Sequence, residues 1–258
     1  MRRSHRPLLA TAALVALFAA ACSDTDSGTT APGPSGKLVV FAASSLTDAF
    51  SELGEAFTAA NPGADVTFNF AGSSDLVTQI SEGAPADVFV SADDSNMARI
   101  IDASLNATDP VVIARNTFAI IVEHGNPKRI GTLADLARSD VIVVLCADTV
   151  PCGKGAIEIL TDAAVTITPK SLEDKVKGVV TKVTTGEADA GIVFVTDVQA
   201  AGDTADGVDI PADVNVISNY PIVVTKDADN AKDAQAFIAF VNGAEGRAIL
   251  AKYGFLAP

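Results

Sequence analysis

The chain has 258 residues, and its 18 Lys+Arg against 32 Asp+Glu give a formal charge of −14. A nucleic-acid binder needs a basic stripe to displace counterions; no Lys/Arg cluster follows Arg2, Arg3 and Arg6, so nucleic acid is excluded as a partner. A hydrophobic share of 48% suffices for one large or two modest domains and excludes disorder for the bulk of the chain.

The three arginines precede a stretch over 8–21 that is apolar apart from Thr11. This pattern predicts a signal peptide over 1–21, because a permanent membrane anchor needs about 20 apolar residues. The mature chain is expected to be exported. The run ends Ala19-Ala-Ala-Cys22, which resembles the lipobox at which bacterial lipoproteins are cleaved and acylated, with Ala19 where that motif usually has Leu. Cys22 would then carry a lipid and hold the protein on the outer face of the cell membrane; the alternative is ordinary cleavage and a free Cys22. Either cleavage leaves 15 cations against 32 acids, a charge of −17. Residues 23–36 are Ser, Thr, Asp, Gly, Pro and one Ala. Such a composition cannot bury enough surface to order itself, so 22–36 reads as lipidated Cys and flexible tether.

From Lys37 onward short apolar runs alternate with helix-period segments. The run 38–43 predicts a strand buried on both faces. Leu46, Ala49, Phe50, Leu53, Ala56, Phe57 and Ala60 then trace an amphipathic helix that Asn61-Pro-Gly63 stops. Further strands are predicted near 65–70, 87–90, 111–113, 118–122, 141–145, 191–195, 214–217 and 222–225. Helices are predicted near 75–81, 95–101, 133–138, 153–160, 172–184, 231–242 and 245–253. This alternation predicts an α/β fold with mainly parallel sheets. The rhythm breaks twice. Two apolar runs meet across Ala114-Arg115-Asn116 with no helix between them, and 196–219 is loop-rich and acidic. Two breaks predict a chain that visits a second lobe and returns, with 37–114 plus about 198–258 as lobe 1 and about 115–197 as lobe 2.

The informative residues sit where strands hand over to helices: Ser44-Ser45-Leu-Thr-Asp48, Gly72-Ser73-Ser74-Asp75 and Thr149-Val-Pro-Cys-Gly-Lys-Gly155. Helix N-termini carry unpaired N–H donors and roughly half a positive charge, so several converging on one cleft make an anion site. Taken singly, Ser45 and Ser73 read as helix caps. Their shared place at the C-terminal edges of strands, where open α/β sheets bind ligands, favours a site.

Phe41-Ala-Ala-Ser-Ser-Leu-Thr47, Phe70-Ala-Gly-Ser-Ser74 and Gly83-Ala-Pro-Ala-Asp-Val-Phe-Val-Ser-Ala-Asp93 follow one another in a pattern that resembles the molybdate-binding proteins of bacterial ABC importers. The resemblance continues through Val150-Pro-Cys-Gly153, Gly191-Ile-Val-Phe-Val-Thr-Asp197, Tyr220-Pro221 and Lys252-Tyr-Gly-Phe255, and so spans Lys37 to the C-terminus. It implies a two-lobe, type II periplasmic-binding-protein fold whose lobes close over a dehydrated tetrahedral oxyanion held by neutral donors. At matching positions Ser45 and Ser73 would donate through hydroxyl and backbone N–H. Cys152, where the family usually has Ala, and Val176 would donate through the backbone. Phe194 stands where the family usually has Tyr and has no hydroxyl to give; Thr196 or an ordered water is the expected substitute. Molybdenum would enter only as the oxyanion, tungstate alongside it, and no cofactor is implied. The partners implied are the membrane permease of an ABC importer and the membrane itself through Cys22, with the receptor a monomer.

A donor-only site disfavours phosphate, whose remaining proton needs an acceptor. Cys146 and Cys152 remain after Cys22 is assigned, and export favours a disulfide between them; two free thiols are the alternative, since sequence does not give the Cα separation. Enzyme readings find no support. His5 leaves with the leader and only His124 remains, no Gly-x-Ser-x-Gly elbow occurs, and Gly153-Lys154-Gly155 lacks the rest of a phosphate-binding loop. Two other readings stay open: the same fold binding sulfate or another small anion, and a non-transport surface lipoprotein.

Overall fold

The computed structural model describes residues 33–258; the expected leader, Cys22 and most of the tether lie outside the described residues. In chain order the elements are β1 (Ser35–Ala43), α1 (Thr47–Ala60), β2 (Gly63–Ala71), α2 (Ser73–Ser81), β3 (Val88–Val90), α3 (Asp94–Asp102), β4 (Val111–Asn116), β5 (Phe118–Glu123) and β6 (Val143–Cys146). There follow α4 (Pro151–Asp162), β7 (Ser171–Glu173), α5 (Val176–Thr184), β8 (Ala190–Phe194), α6 (Val195–Ala201), β9 (Ala205–Asp209), β10 (Ser218–Val224), α7 (Ala231–Asn242) and α8 (Ala244–Lys252). Among the described residues no helix is long and apolar enough to cross a membrane.

The described strands form two five-stranded sheets, ordered β2-β1-β3-β10-β4 and β7-β6-β8-β5-β9. This is the expected two-lobe α/β architecture, with one correction. Each sheet is mixed rather than mainly parallel: β1 pairs parallel with β2 and β3, and β6 with β7 and β8. By contrast β10 runs antiparallel to β3 and β4, and β5 to β8 and β9. The antiparallel pairs surround the strands that carry the chain between lobes. The antiparallel strand in each sheet is the one by which the chain enters that lobe, β5 after the first crossing and β10 after the second; each arrives from the other lobe rather than through a strand–helix–strand unit, so the parallel direction is not imposed on it.

The first crossing is the single residue Thr117, between β4 and β5. The second lies later than the expected position near 198, because β9 still pairs with β5 and the chain returns only within 210–217. No strand forms at 214–217. Instead the Asn215 side chain grips the first crossing, Oδ1 accepting from the Phe118 N–H at 3.0 Å and Nδ2 donating to the Phe118 carbonyl at 2.9 Å. That pair of bonds imitates a strand ladder with one amide group and ties the two crossings together. The helix expected over 172–184 begins at α5, its first residues being given to β7.

Local chemistry explains the elements that frame the cleft. Apolar Ala49, Phe50, Leu53 and Phe57 fall on one face of α1, where Phe57 meets Phe237 of α7 edge-on at 5.3 Å. Asp93 caps α3 by accepting the Asn96 N–H at 2.8 Å. Pro151 opens α4 at a position whose N–H has no helical partner, so its ring costs nothing there.

Candidate functional site

Helices enter one cavity from both lobes. From the first lobe come the buried 3-10 turn Ser44–Leu46 at the end of β1, and α2, which begins at Ser73 directly after β2 and Gly72. From the second come the first turn of α4, with Cys152, and the first turn of α5, with Val176. Ser45, Ser73, Cys152, Val176 and Phe194, the residues singled out in the sequence, all line this cavity, a small one of about 10 Å³. First-turn N–H groups have no acceptor inside their own helix, and Ser73, Cys152 and Val176 each occupy such a position. Ala43, Ala71 and Ala92 also line it.

The two serine hydroxyls are buried and already engaged from behind. Ser73 Oγ accepts the Ala92 N–H at 3.1 Å, and Ser45 Oγ lies 3.0 Å from the Tyr220 hydroxyl. Phe194 is 1% exposed and packs on Phe118 at 4.6 Å and on Tyr220 at 5.9 Å between ring centroids, so it brings carbon to the wall. Thr196, the expected substitute donor, is not among the lining residues. Its Oγ1 instead accepts from Asn116 Nδ2 at 2.8 Å.

Sequence reasoning quoted Gly72 only as part of the turn before Ser73, with no role of its own, and missed Lys175 on the lining. Gly72 carries no side chain to signal a contact, and Lys175 counts as a site residue only through its place as the N-cap of α5. Among the described residues Lys175 is the one charged residue on the wall, and no carboxylate lines it. A lysine ammonium offers donors and no acceptor. Cys146 and Cys152 are joined by a disulfide with Cα atoms 5.7 Å apart, which ties the end of β6 to the first turn of α4.

Charges lie just outside the cavity. Lys177 of α5 reaches Asp48 of α1 at 2.9 Å and approaches Asp197 of α6 at 3.6 Å. Asp197 is 1% exposed, and neither of its carboxylate oxygens has a hydrogen-bond partner among the described residues. Burial pushes its pKa up to about 6, with the Lys177 cation drawing it back. On the other side Lys154 of α4 reaches Asp93 at 3.2 Å and Ser95 Oγ at 2.5 Å. Lys154 and Lys177 therefore each bridge one lobe to the other. Among the described residues no group of three His, Cys, Asp or Glu side chains could hold a bare metal ion.

The family model for bacterial extracellular solute-binding proteins matches residues 38–256. The "Molybdate-binding protein ModA" of Mycobacterium tuberculosis strain H37Rv is 42% identical over 241 residues, covering 92% of each chain. A Bacillus subtilis strain 168 protein named as an ABC transporter substrate-binding lipoprotein, YvgL, is 29% identical and covers 95% of this chain and 96% of its own. In fold, the chain is similar to the periplasmic molybdate-binding protein of Azotobacter vinelandii, with a TM-score of 0.76 at 20% identity, covering 86% of this chain and 99% of that one.

Proposed function

This chain belongs to the bacterial extracellular solute-binding proteins, and on that premise we propose that it is the molybdate receptor of an ABC importer. One observation supports this reading above others: helix N-termini from both lobes and buried hydroxyls from the first converge on a cavity that has donors on its wall and, among the described residues, no carboxylate lining it. Such a wall suits a small dianion without a proton of its own. The M. tuberculosis relative carries molybdate in its name and aligns with nearly the whole chain.

In this reading Ser45 and Ser73 donate through hydroxyl and N–H from the first lobe, and Cys152 and Val176 through N–H from the second. A ligand touching both lobes holds them together, and the permease reads the closed form. Partial positive charge at the helix ends acts at contact range. The chain's net negative charge acts from afar and is screened over about 8 Å at physiological salt. Tungstate, of the same charge and shape, is bound as molybdate is. The molecule is a monomeric receptor rather than an enzyme, and the oxyanion is its cargo rather than a cofactor. A lipid on Cys22 holds it at the outer face of the membrane, a reading favoured by the Bacillus relative's name.

A thermal-shift panel tests the proposal, since a ligand at 100 times its dissociation constant adds about 2.7 kcal/mol of stability. Molybdate and tungstate are expected to raise Tm, with sulfate weaker and phosphate without effect. Stabilisation by sulfate alone moves the assignment to another anion, and no stabilisation by any anion removes the receptor reading.

A further inference from the structure

Ser45 can contribute a hydrogen to the cavity only if its own proton is not spent elsewhere. Among the described residues its hydroxyl has one hydrogen-bond partner, Tyr220 Oη at 3.0 Å, and that bond could run either way. The surroundings of Tyr220 decide the direction. Its ring is fully buried on β10, at a register shift between Tyr220 and Pro221. Among the described residues the one other group within reach of its oxygen is Asn116 Nδ2, at 3.4 Å.

Asn116 is the last residue of β4, next to the crossing, and its amide orientation is fixed by its neighbours. Oδ1 accepts the Thr117 N–H at 3.0 Å, which leaves Nδ2 to donate its two hydrogens to Thr196 Oγ1 at 2.8 Å and to Tyr220 Oη. An amide nitrogen cannot accept. Among the described residues the Tyr220 proton therefore has one acceptor within reach, Ser45 Oγ. With its oxygen receiving that bond, Ser45 turns its own hydrogen toward the cavity it lines. Burial raises the Tyr220 phenol well above its usual range, so the donor keeps its proton at any physiological pH.

We propose that Tyr220 is a positioning residue for the oxyanion site: the relay Asn116 to Tyr220 to Ser45 locks the Ser45 hydroxyl as a donor toward the ligand. The relay couples the crossing between lobes to the first-lobe half of the site. It rests on the receptor reading above, and it makes the donor-only character of the wall a property of residues behind the wall. Ser73 is set in the same sense by the Ala92 N–H, so neither serine has to choose its direction when the ligand arrives.

The test is a double-mutant cycle read by titration calorimetry with sodium molybdate on the full mature chain, comparing the unmodified protein, Tyr220→Phe, Ser45→Ala and the double variant. Tyr220→Phe is expected to weaken molybdate binding about tenfold in the unmodified background and to leave the Ser45→Ala protein unchanged, because the tyrosine acts through the serine. An equal loss in both backgrounds, or no loss in either, overturns the relay. No binding by the unmodified protein overturns the relay and the receptor reading together, which separates the two failures. If Tyr220→Phe does not fold, fluorine NMR of protein carrying 3-fluorotyrosine at 220 and 253 replaces it. Molybdate is then expected to shift the Tyr220 signal in the Ser45 protein and not in Ser45→Ala, whereas a shift undiminished in Ser45→Ala, or absent from both, overturns the relay.

Discussion

Gly72 of the first lobe lies so close to Asp174 of the second that a Cβ on the glycine would come within 2.3 Å of the Asp174 carbonyl oxygen. The backbone at Gly72, φ −61° and ψ 139°, is open to any residue, so the approach of the other lobe, not the turn, requires glycine there. Gly72→Ala is expected to fold normally and to hold the lobes apart at the cavity. Molybdate affinity should fall at least tenfold while the Tm of ligand-free protein moves little. Calorimetry and thermal unfolding on the same sample check both halves, and an unchanged affinity contradicts the proposed closure.

Phe194 sits on the wall without a polar atom, in the place where the family resemblance implies a tyrosine. Phe194→Tyr supplies a hydroxyl at the end of β8, and a hydrogen bond to a charged group contributes about 1.5–3 kcal/mol. Molybdate binding should tighten about tenfold or more. Calorimetry showing equal or weaker binding would argue that the Phe194 ring edge does not face the ligand.

Asp197 gives stability a pH dependence of unusual sign for a carboxylate. Its folded pKa, about 6, lies above the ordinary 3.8, so the folded state binds the proton more tightly than the unfolded state. The contribution is complete below pH 3.8 and is lost as pH rises through 6. Asp197→Asn removes this loss and should raise stability at pH 7 by up to about 3 kcal/mol, with Lys177 still paired to Asp48. Chemical denaturation from pH 4 to 7 measures the slope. A variant with the parent's slope contradicts the assignment.

Lys154 and Lys177 join the lobes through pairs that are partly exposed, with lysine side chains 39% and 27% accessible. Exposed ion pairs are worth about 0–1 kcal/mol each. The double variant Lys154→Gln, Lys177→Gln should therefore release molybdate up to about thirtyfold faster at low salt, with the difference shrinking as salt is added. Stopped-flow release at two ionic strengths is the measurement, and a salt-independent effect would point to packing instead of charge.

Much of the fold was legible because strand and helix periods are strong in this chain. The run at Leu38 and the spacing of Leu53 and Phe57 mark a buried strand and an amphipathic helix without ambiguity. The return between lobes was legible as a break over 196–219 but its exact point was not, since β9 reads Ala-Asp-Gly-Val-Asp, an acidic edge strand with little apolar content, while Val214 and Val216 look like a strand but flank an Asn215 whose side chain bonds Phe118 instead. At the site the serines could be found from their places at strand ends. Gly72 could not, because its role is the space it leaves, nor could Tyr220, whose part depends on Asn116 and Ser45 meeting from distant places in the chain.

The most direct measurement is a crystal structure of the chain grown with molybdate, with the molybdenum located by its anomalous signal. The peak is expected in the cavity between α2, α4 and α5, its oxygens within hydrogen-bond distance of the Ser45 and Ser73 hydroxyls and of the Cys152 and Val176 N–H groups. A peak elsewhere on the surface, or none at saturating molybdate, would contradict the claim that helix ends from two lobes hold the dianion.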